Sequence, residues 1–243
     1  MNRAFDFHIH SKYSFDSFTN PQDIVKAAKK NGISGIAITD HNTVKGSIVT
    51  KKYMSKDFIV ISGAEINSEV GHICALFITE DIKSKSALEI IDEIHNQNGL
   101  AVLAHPFKSS RLTINEDIIK EIDAIEVFNS RTKQDYNQKA YEFAAKMKKP
   151  FTAGSDAHFL KEIGNTKLFL DDISDEEDIR YSILKNRHKK KGGEELKLKE
   201  NPAISQSISP FYFKTASRIN ANLKNGTIYK LPYTIIKSFA KDL

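Results

Sequence analysis

Cysteine is nearly missing from this chain of 243 residues and tryptophan is wholly so: Cys74 is the one thiol. A lone thiol cannot close an internal bridge, so the fold must be held by its core, as in a chain kept in a reducing compartment. No stretch approaches the roughly 20 apolar residues that span a bilayer. No charged-then-apolar leader precedes the first apolar run. The expectation is a cytoplasmic protein with no membrane partner. Several catalytic signatures are absent too. There is no convincing G-x-S-x-G, no cysteine–histidine arrangement and no G-x-x-x-x-G-K-[ST], which argues against the common serine and cysteine nucleophiles and against the P-loop route to nucleotide hydrolysis. Charge of one sign is also scarce. Thirty-six Lys and Arg against 31 Asp and Glu leave +5, a modest bias toward anionic ligands. Much of the excess lies in "KNRHKKKGGEELKLK", residues 185 to 199, which reads as a solvated helix end and linker or as a contact for nucleic acid.

What is present is alternation. Apolar runs of strand length occur at 4–10, 35–40, 58–63, 72–78, 100–105, 124–129, 151–156 and 166–170, with helical patterns between them. This order predicts βα units around a mainly parallel sheet. "NPQDIVKAAKKNG" shows the helix grammar: Asn20 at the N-cap, Pro21 in the first helical position, Ile24, Ala27 and Ala28 on one stripe, and a stop at Gly32. "SALEIIDEIHNQNG", with Leu88, Ile91 and Ile94 as its stripe, and "DYNQKAYEFAAKMKKP" follow suit. The link between 58–63 and 72–78 has no room for a crossover helix and predicts a hairpin. The fold class expected is α/β, a distorted (β/α) barrel of TIM type with about seven parallel strands and a C-terminal extension. The alternation ends near residue 187, so residues 1–187 form the expected barrel. Residues 188–243 form a basic linker and a mostly helical extension packed on it, with a helix at 208–226.

The polar residues gather at strand ends. His8 and His10 end the first strand, Asp40 and His41 the second; Glu65 follows the third, His105 ends the fifth run, and Asp156 with His158 ends "FTAGSD". In a parallel barrel those ends share one face, the face where chemistry takes place. Side chains at i and i+2 on a strand point the same way, so "HIH" aims two imidazoles at one place and "DAH" a carboxylate and an imidazole at another. A single strand-end histidine means little. Five strand ends repeating the pattern point to divalent metal, with imidazole and carboxylate suiting Zn, Mn or Fe, whereas structural zinc would show more cysteine.

Taken in order, "HIH" with "SFDS", "TDHNTVKG", "GAEI", "GHICAL", "LAHP", "EVFNSR" and "GSDAH" resemble the PHP (polymerase and histidinol phosphatase) superfamily of metal-dependent phosphoesterases, over about residues 4 to 170. The look is similar to small members such as nucleoside 3',5'-bisphosphate phosphatases and 5'-3' exonucleases, without their mid-barrel insertion between His72 and His105. The resemblance implies two or three divalent ions. His8, His10, Glu65 and Asp156 would hold a first; Glu65, bridging, would join His72 and His105 around a second; Asp16, His41 and His158 would hold a third. It implies hydrolysis of a phosphomonoester, or of a nucleotide or oligonucleotide end, by a metal-bridging hydroxide.

Three further residues are assigned supporting roles. Asp40 is expected to orient His41 or its loop, and Lys12 and Arg131 to clamp phosphate. His95 is expected beside the core or at the surface, His188 in the basic run, and Cys74 as a small packing residue. Partners follow: a small phosphorylated substrate or a nucleotide, with short single-stranded nucleic acid in reach of the basic run and of "SPFYFKT". Two other readings compete. One is a PHP module that binds nucleic acid without catalysis, whose mark would be eroded ligands. The other is an amidohydrolase, whose barrel also begins with HxH but carries a metal-bridging lysine on a middle strand.

Overall fold

The computed structural model describes residues 3–108, 116–185 and, as backbone, 204–206. Its elements run β1 (Arg3–Ile9), α1 (Pro21–Lys30), β2 (Gly35–Ile38), α2 (Lys45–Thr50), β3 (Ile59–Ser68), β4 (Gly71–Leu76), α3 (Ala87–Asn96), β5 (Leu100–Leu103), α4 (Glu116–Glu121), β6 (Ala124–Asn129), α5 (Gln134–Lys146), β7 (Phe151–Gly154), β8 (Thr166–Leu170), α6 (Glu176–Lys185) and β9 (Ile204–Gln206). All eight expected strands are there. The basic run beyond Lys185, His188 and the helix expected at 208–226 lie outside the described residues.

The sheet order is β7-β6-β5-β4-β3-β2-β1-β8-β9. Beyond the ends of β1 and β7 the ring nearly closes: Ile9 bridges Ala157 in parallel, and the His10 N–H donates to the Ala157 carbonyl at 2.8 Å. Of the seven strands β1 to β7, six run one way, and β4 runs against both β3 and β5. The short link at Ser68–Gly71 explains the reversal. Gly71 takes φ +114, open only to glycine, and the Ser68 hydroxyl donates to the Gly71 carbonyl at 2.7 Å. Outside the ring, β8 pairs antiparallel with the start of β1, and β9 pairs antiparallel with β8. The result is a distorted barrel of TIM type, as expected.

The strands read as unbroken apolar runs because both their faces are covered. On β2, Ile36 and Ile38 pack outward with Ile24, Val25 and Ala28 of α1, while Ala37 joins the interior with Phe5, Phe7, Ile59 and Ile61. Helix α1 starts at Asn20, whose carbonyl accepts the Asp23 and Ile24 N–H groups while its side chain makes no cap bond. Helix α3 departs from the expected stripe. It buries Ala87, Ile90, Ile91 and Ile94, and leaves Leu88 39% exposed. Spacing of 3 and 4 from Ala87 fits one helix face; Leu88 falls a third of a turn away from it. No helix among the described residues is long and apolar enough to cross a membrane.

Candidate metal centre

The rim at the C-terminal ends of β1, β2, β3, β5 and β7 holds the cluster, and β4, being reversed, brings its first residues to the same rim. Each position has a local cause. His8 and His10 extend from β1 with Ile9 turned outward into the apolar layer under α1. His105 and Asp156 sit just past β5 and β7 with φ +28 and +53, conformations that cost non-glycine residues and that throw their side chains back over the rim. His72 arrives opposite Asn67 across the hairpin.

Glu65 is the hub. Its Oε1 lies 2.7 Å from His72 Nδ1, 2.9 Å from His105 Nε2 and 3.5 Å from His8 Nε2. Its Oε2 lies 3.4 Å from His10 Nε2 and 3.2 Å from His41 Nδ1. One buried carboxylate thus faces five imidazoles. Burial opposes its charge, but His8, His72 and His105 outweigh burial and hold the carboxyl well below the usual range. Asp156 works alike: Oδ1 lies 3.3 Å from His10 Nε2 and 3.7 Å from His8 Nε2, and Oδ2 2.6 Å from Lys108 Nζ. Burial opposes its charge too, and Lys108, then His8, override it. Between His8 and His10 the Nε2 atoms stand 3.1 Å apart, room for a single proton. Burial opposes the His8 cation, yet Cys74, Glu126, Glu65 and Asp156 raise His8 well above its ordinary value; burial, aided by His158, pushes His10 down to about 3.

At the outer end, Asp16 Oδ2 lies 2.9 Å from His158 Nε2 and 3.3 Å from His41 Nε2. Asp16 Oδ1 and His41 Nδ1 are buried without a hydrogen-bond partner; the latter is near Glu65 but not aligned to bond it. Buried polar atoms are rarely left so. The nine predicted ligands, His8, His10, Asp16, His41, Glu65, His72, His105, Asp156 and His158, fall into four overlapping groups: His10, Asp16, His41 and His158; His8, His105 and Asp156; His8, His10 and Glu65; and His41, Glu65 and His72. Within each group the ligand atoms lie within 4.8 Å of one another. Imidazole and carboxylate at these separations, with two orphaned polar atoms among them, fit divalent ions.

The three supporting residues stand elsewhere. Asp40 accepts from the Ser11 N–H (2.6 Å) and hydroxyl (2.7 Å), so its carboxylate ties the loop after β1 to the end of β2, next to His41. Gly46 makes room for it: a Cβ there would sit 1.7 Å from Asp40 Oδ2. Lys12 is exposed, its ammonium 5.9 Å from the Tyr13 ring. Arg131 is buried and pairs with Glu162 at 3.1 Å, and the same Glu162 oxygen accepts the His158 N–H at 2.9 Å. Through Glu162 its guanidinium holds the loop that carries His158.

Sequence reasoning missed two residues. Lys108, three after His105, is the cation the fold sets beside Asp156. Glu126, the one charged residue in "AIEVFN", is buried 3.0 Å from His8 Nδ1. A charge inside an apolar strand was the available signal for it. Two residues outside the ligand set fit their readings. Cys74 is buried 3.8 Å from His8 Nδ1, and burial pushes its thiol up to about 12. His95 is half-buried and pairs with Asp123 at 2.8 Å.

Comparison with known proteins gives a consistent set of matches. A family model described as the PHP domain matches residues 6–154, and one described as PHP-associated matches residues 134–188. Two uncharacterized proteins of Methanocaldococcus jannaschii are similar. One is 33% identical over 210 residues, 81% of this chain and 83% of its own length; the other is 42% identical over 139 residues, 51% of this chain and 81% of its own. A solved two-domain Bacteroides vulgatus protein containing a predicted PHP-like metal-dependent phosphoesterase shares the fold with a TM-score of 0.65 at 20% identity. That match covers 77% of this chain and 64% of the longer one, so this chain spans less than two thirds of it.

Proposed function

The chain belongs to the PHP-domain family, and from that membership we propose that it hydrolyses a phosphate ester, a phosphomonoester or a nucleotide or oligonucleotide end, at a centre of two or three divalent ions. The observation that carries the reading is the convergence of nine His, Asp and Glu side chains in four overlapping ligand groups on one rim. His8, His10, Glu65 and Asp156 would hold one ion, Glu65 with His72 and His105 a second, and Asp16 with His41 and His158 a third. Such ions supply Lewis acidity, making water acidic enough to ionise near neutral pH and offsetting phosphoryl charge.

The chain's own residues do the rest. Glu65 and Asp156 are held ionised by the cations around them and bring negative charge to the middle of the ring. Lys108, 27% exposed beside Asp156, replaces Lys12 and Arg131 as the proposed partner of a phosphate oxygen. Arg131, through Glu162, keeps the His158 loop in place. The test is purified protein, reconstituted with Zn, Mn or Fe in turn, screened against phosphomonoesters, nucleoside bisphosphates, phosphodiesters and short oligonucleotides. Metal-dependent release of phosphate or of a nucleotide from at least one class is expected. No turnover on any class by protein that has bound metal would refute the proposal.

A further inference from the structure

The ligands themselves do not account for Glu126. It lies on β6, one strand removed from the nearest strand-end ligand on either side, and is 3% exposed. Its Oε1 stands 3.0 Å from His8 Nδ1. Its Oε2 accepts the backbone N–H of His105 at 2.9 Å and the Asn129 side-chain amide at 3.1 Å. Glycine at 154 lets this happen: a Cβ there would lie 2.3 Å from His8 Cβ and 2.9 Å from Glu126 Oε1. Space has been left across β7 so that one carboxylate reaches two predicted ligands, His8 and His105, that share a ligand group with Asp156.

From this geometry we infer that Glu126 is a positioning residue of the metal centre, holding the His8 proton on Nδ1 and anchoring the strained turn at His105. The inference rests on the metal-centre reading above. Both Glu126 oxygens face donors, two N–H groups on one and His8 Nδ1 on the other, which a carboxylate alone can satisfy on both sides. With the proton held on Nδ1, a neutral His8 ring turns the Nε2 lone pair toward Glu65, Asp156 and His10, the direction from which a cation is held. The other neighbour of Nδ1, the Cys74 sulfur at 3.8 Å, is a weak acceptor and does not fix the ring. On the far side the Oε2 bonds hold the backbone of His105 at its φ of +28, so the same residue sets where the His105 ring points. Partners of this kind typically change metal affinity by roughly 10–100-fold.

Glutamine cannot substitute. If its carbonyl takes the His8 side, its NH2 opposes the His105 N–H; if it turns over, its NH2 opposes Nδ1–H and drives the proton to Nε2. The experiment compares wild type, Glu126→Gln, Glu126→Ala and His8→Ala, with zinc as the probe. Zinc affinity is read by competition with a chromophoric chelator, fold by thermal unfolding, and the His8 proton by 1H–15N correlation of 15N-histidine-labelled, zinc-loaded protein. We expect both Glu126 variants to fold and to bind zinc roughly 10–100-fold more weakly, with the solvent-protected Nδ1 proton of wild-type His8 lost in Glu126→Ala. Affinities within twofold of wild type for both Glu126 variants, while His8→Ala loses zinc, would overturn this inference alone. So would weaker binding with the Nδ1 proton of Glu126→Ala still as protected from solvent exchange as in wild type, which would mark Glu126 as packing only. Wild-type affinity in His8→Ala would instead overturn the metal-centre reading beneath it.

Discussion

Asp6 shows how a residue outside the ligand set supports it. Its Oδ1 accepts the N–H groups of Ser155 (2.8 Å) and His8 (3.3 Å), and its Oδ2 that of Gly164 (3.0 Å), so one side chain ties β1 to the turns on both sides of His158. Burial drives its carboxyl up to about 6 against these bonds. Asn in its place would turn an NH2 toward a backbone N–H, so Asp6→Asn is expected to lose about 1–3 kcal/mol, measured by urea unfolding at pH 7.5. Cys74 gives a simpler prediction. A thiol pushed up to about 12 and 3% exposed should react with a thiol-specific disulfide reagent at pH 8 only after unfolding. The nine candidate ligands were legible at this scale because i, i+2 pairs on strands and repeated strand-end polar residues leave a pattern. Lys108 and Asp6 leave none, and Glu126 leaves only a charge inside an apolar strand. Each is a single charge whose meaning comes from a neighbour 118, 48 or 149 positions away.

Elements carry two further tests. Strand β7 comes so close to β1 that a methyl group at position 154 would collide with His8; Gly154→Ala should cost about 1–3 kcal/mol and lower bound zinc, read by denaturation and metal analysis together. Helix α3 clamps the preceding loop through Glu93, whose carboxylate accepts the Lys83 N–H at 2.9 Å and the Ser84 N–H at 3.1 Å. The Ser84 hydroxyl, foremost, holds this carboxyl below its ordinary 4.5. A carboxyl depressed in the fold adds stability that is full above the unfolded value and lost as pH falls through the folded one. Wild type should therefore exceed Glu93→Gln in stability by a constant margin above about pH 6, and the margin should shrink in acid. Element order was readable from apolar runs and turn residues, including the β3–β4 hairpin. The short helices α2 and α4 span six residues each, too few for periodicity to speak, and the direction of β8 depends on a pairing with β1, Phe5 opposite Leu168 and Arg3 opposite Leu170, that is far upstream in the chain.

Across the whole molecule the centre ties distant parts of the chain together, since its ligands run from His8 to His158 and come from β1, β3, β4 and the loops after β1, β2, β5 and β7. Ions bound at this candidate centre would therefore stabilise the fold as a unit. Free metal at 100 times its dissociation constant adds about 2.7 kcal/mol, so exhaustive chelation should lower Tm by roughly 5–10 °C for a chain of this size, followed by calorimetry with and without added zinc. An unchanged Tm would count against ions seated in the barrel. Fold resemblance does not choose the substrate, because the loops around the rim decide it. The most direct test replaces His8 and His10 together with alanine and measures metal content and phosphatase turnover on the same preparation. We expect the wild type to carry two or three divalent ions and to turn over a phosphate ester, and the double variant, still folded, to lose both metal and turnover. Unchanged metal content in the variant would contradict that expectation.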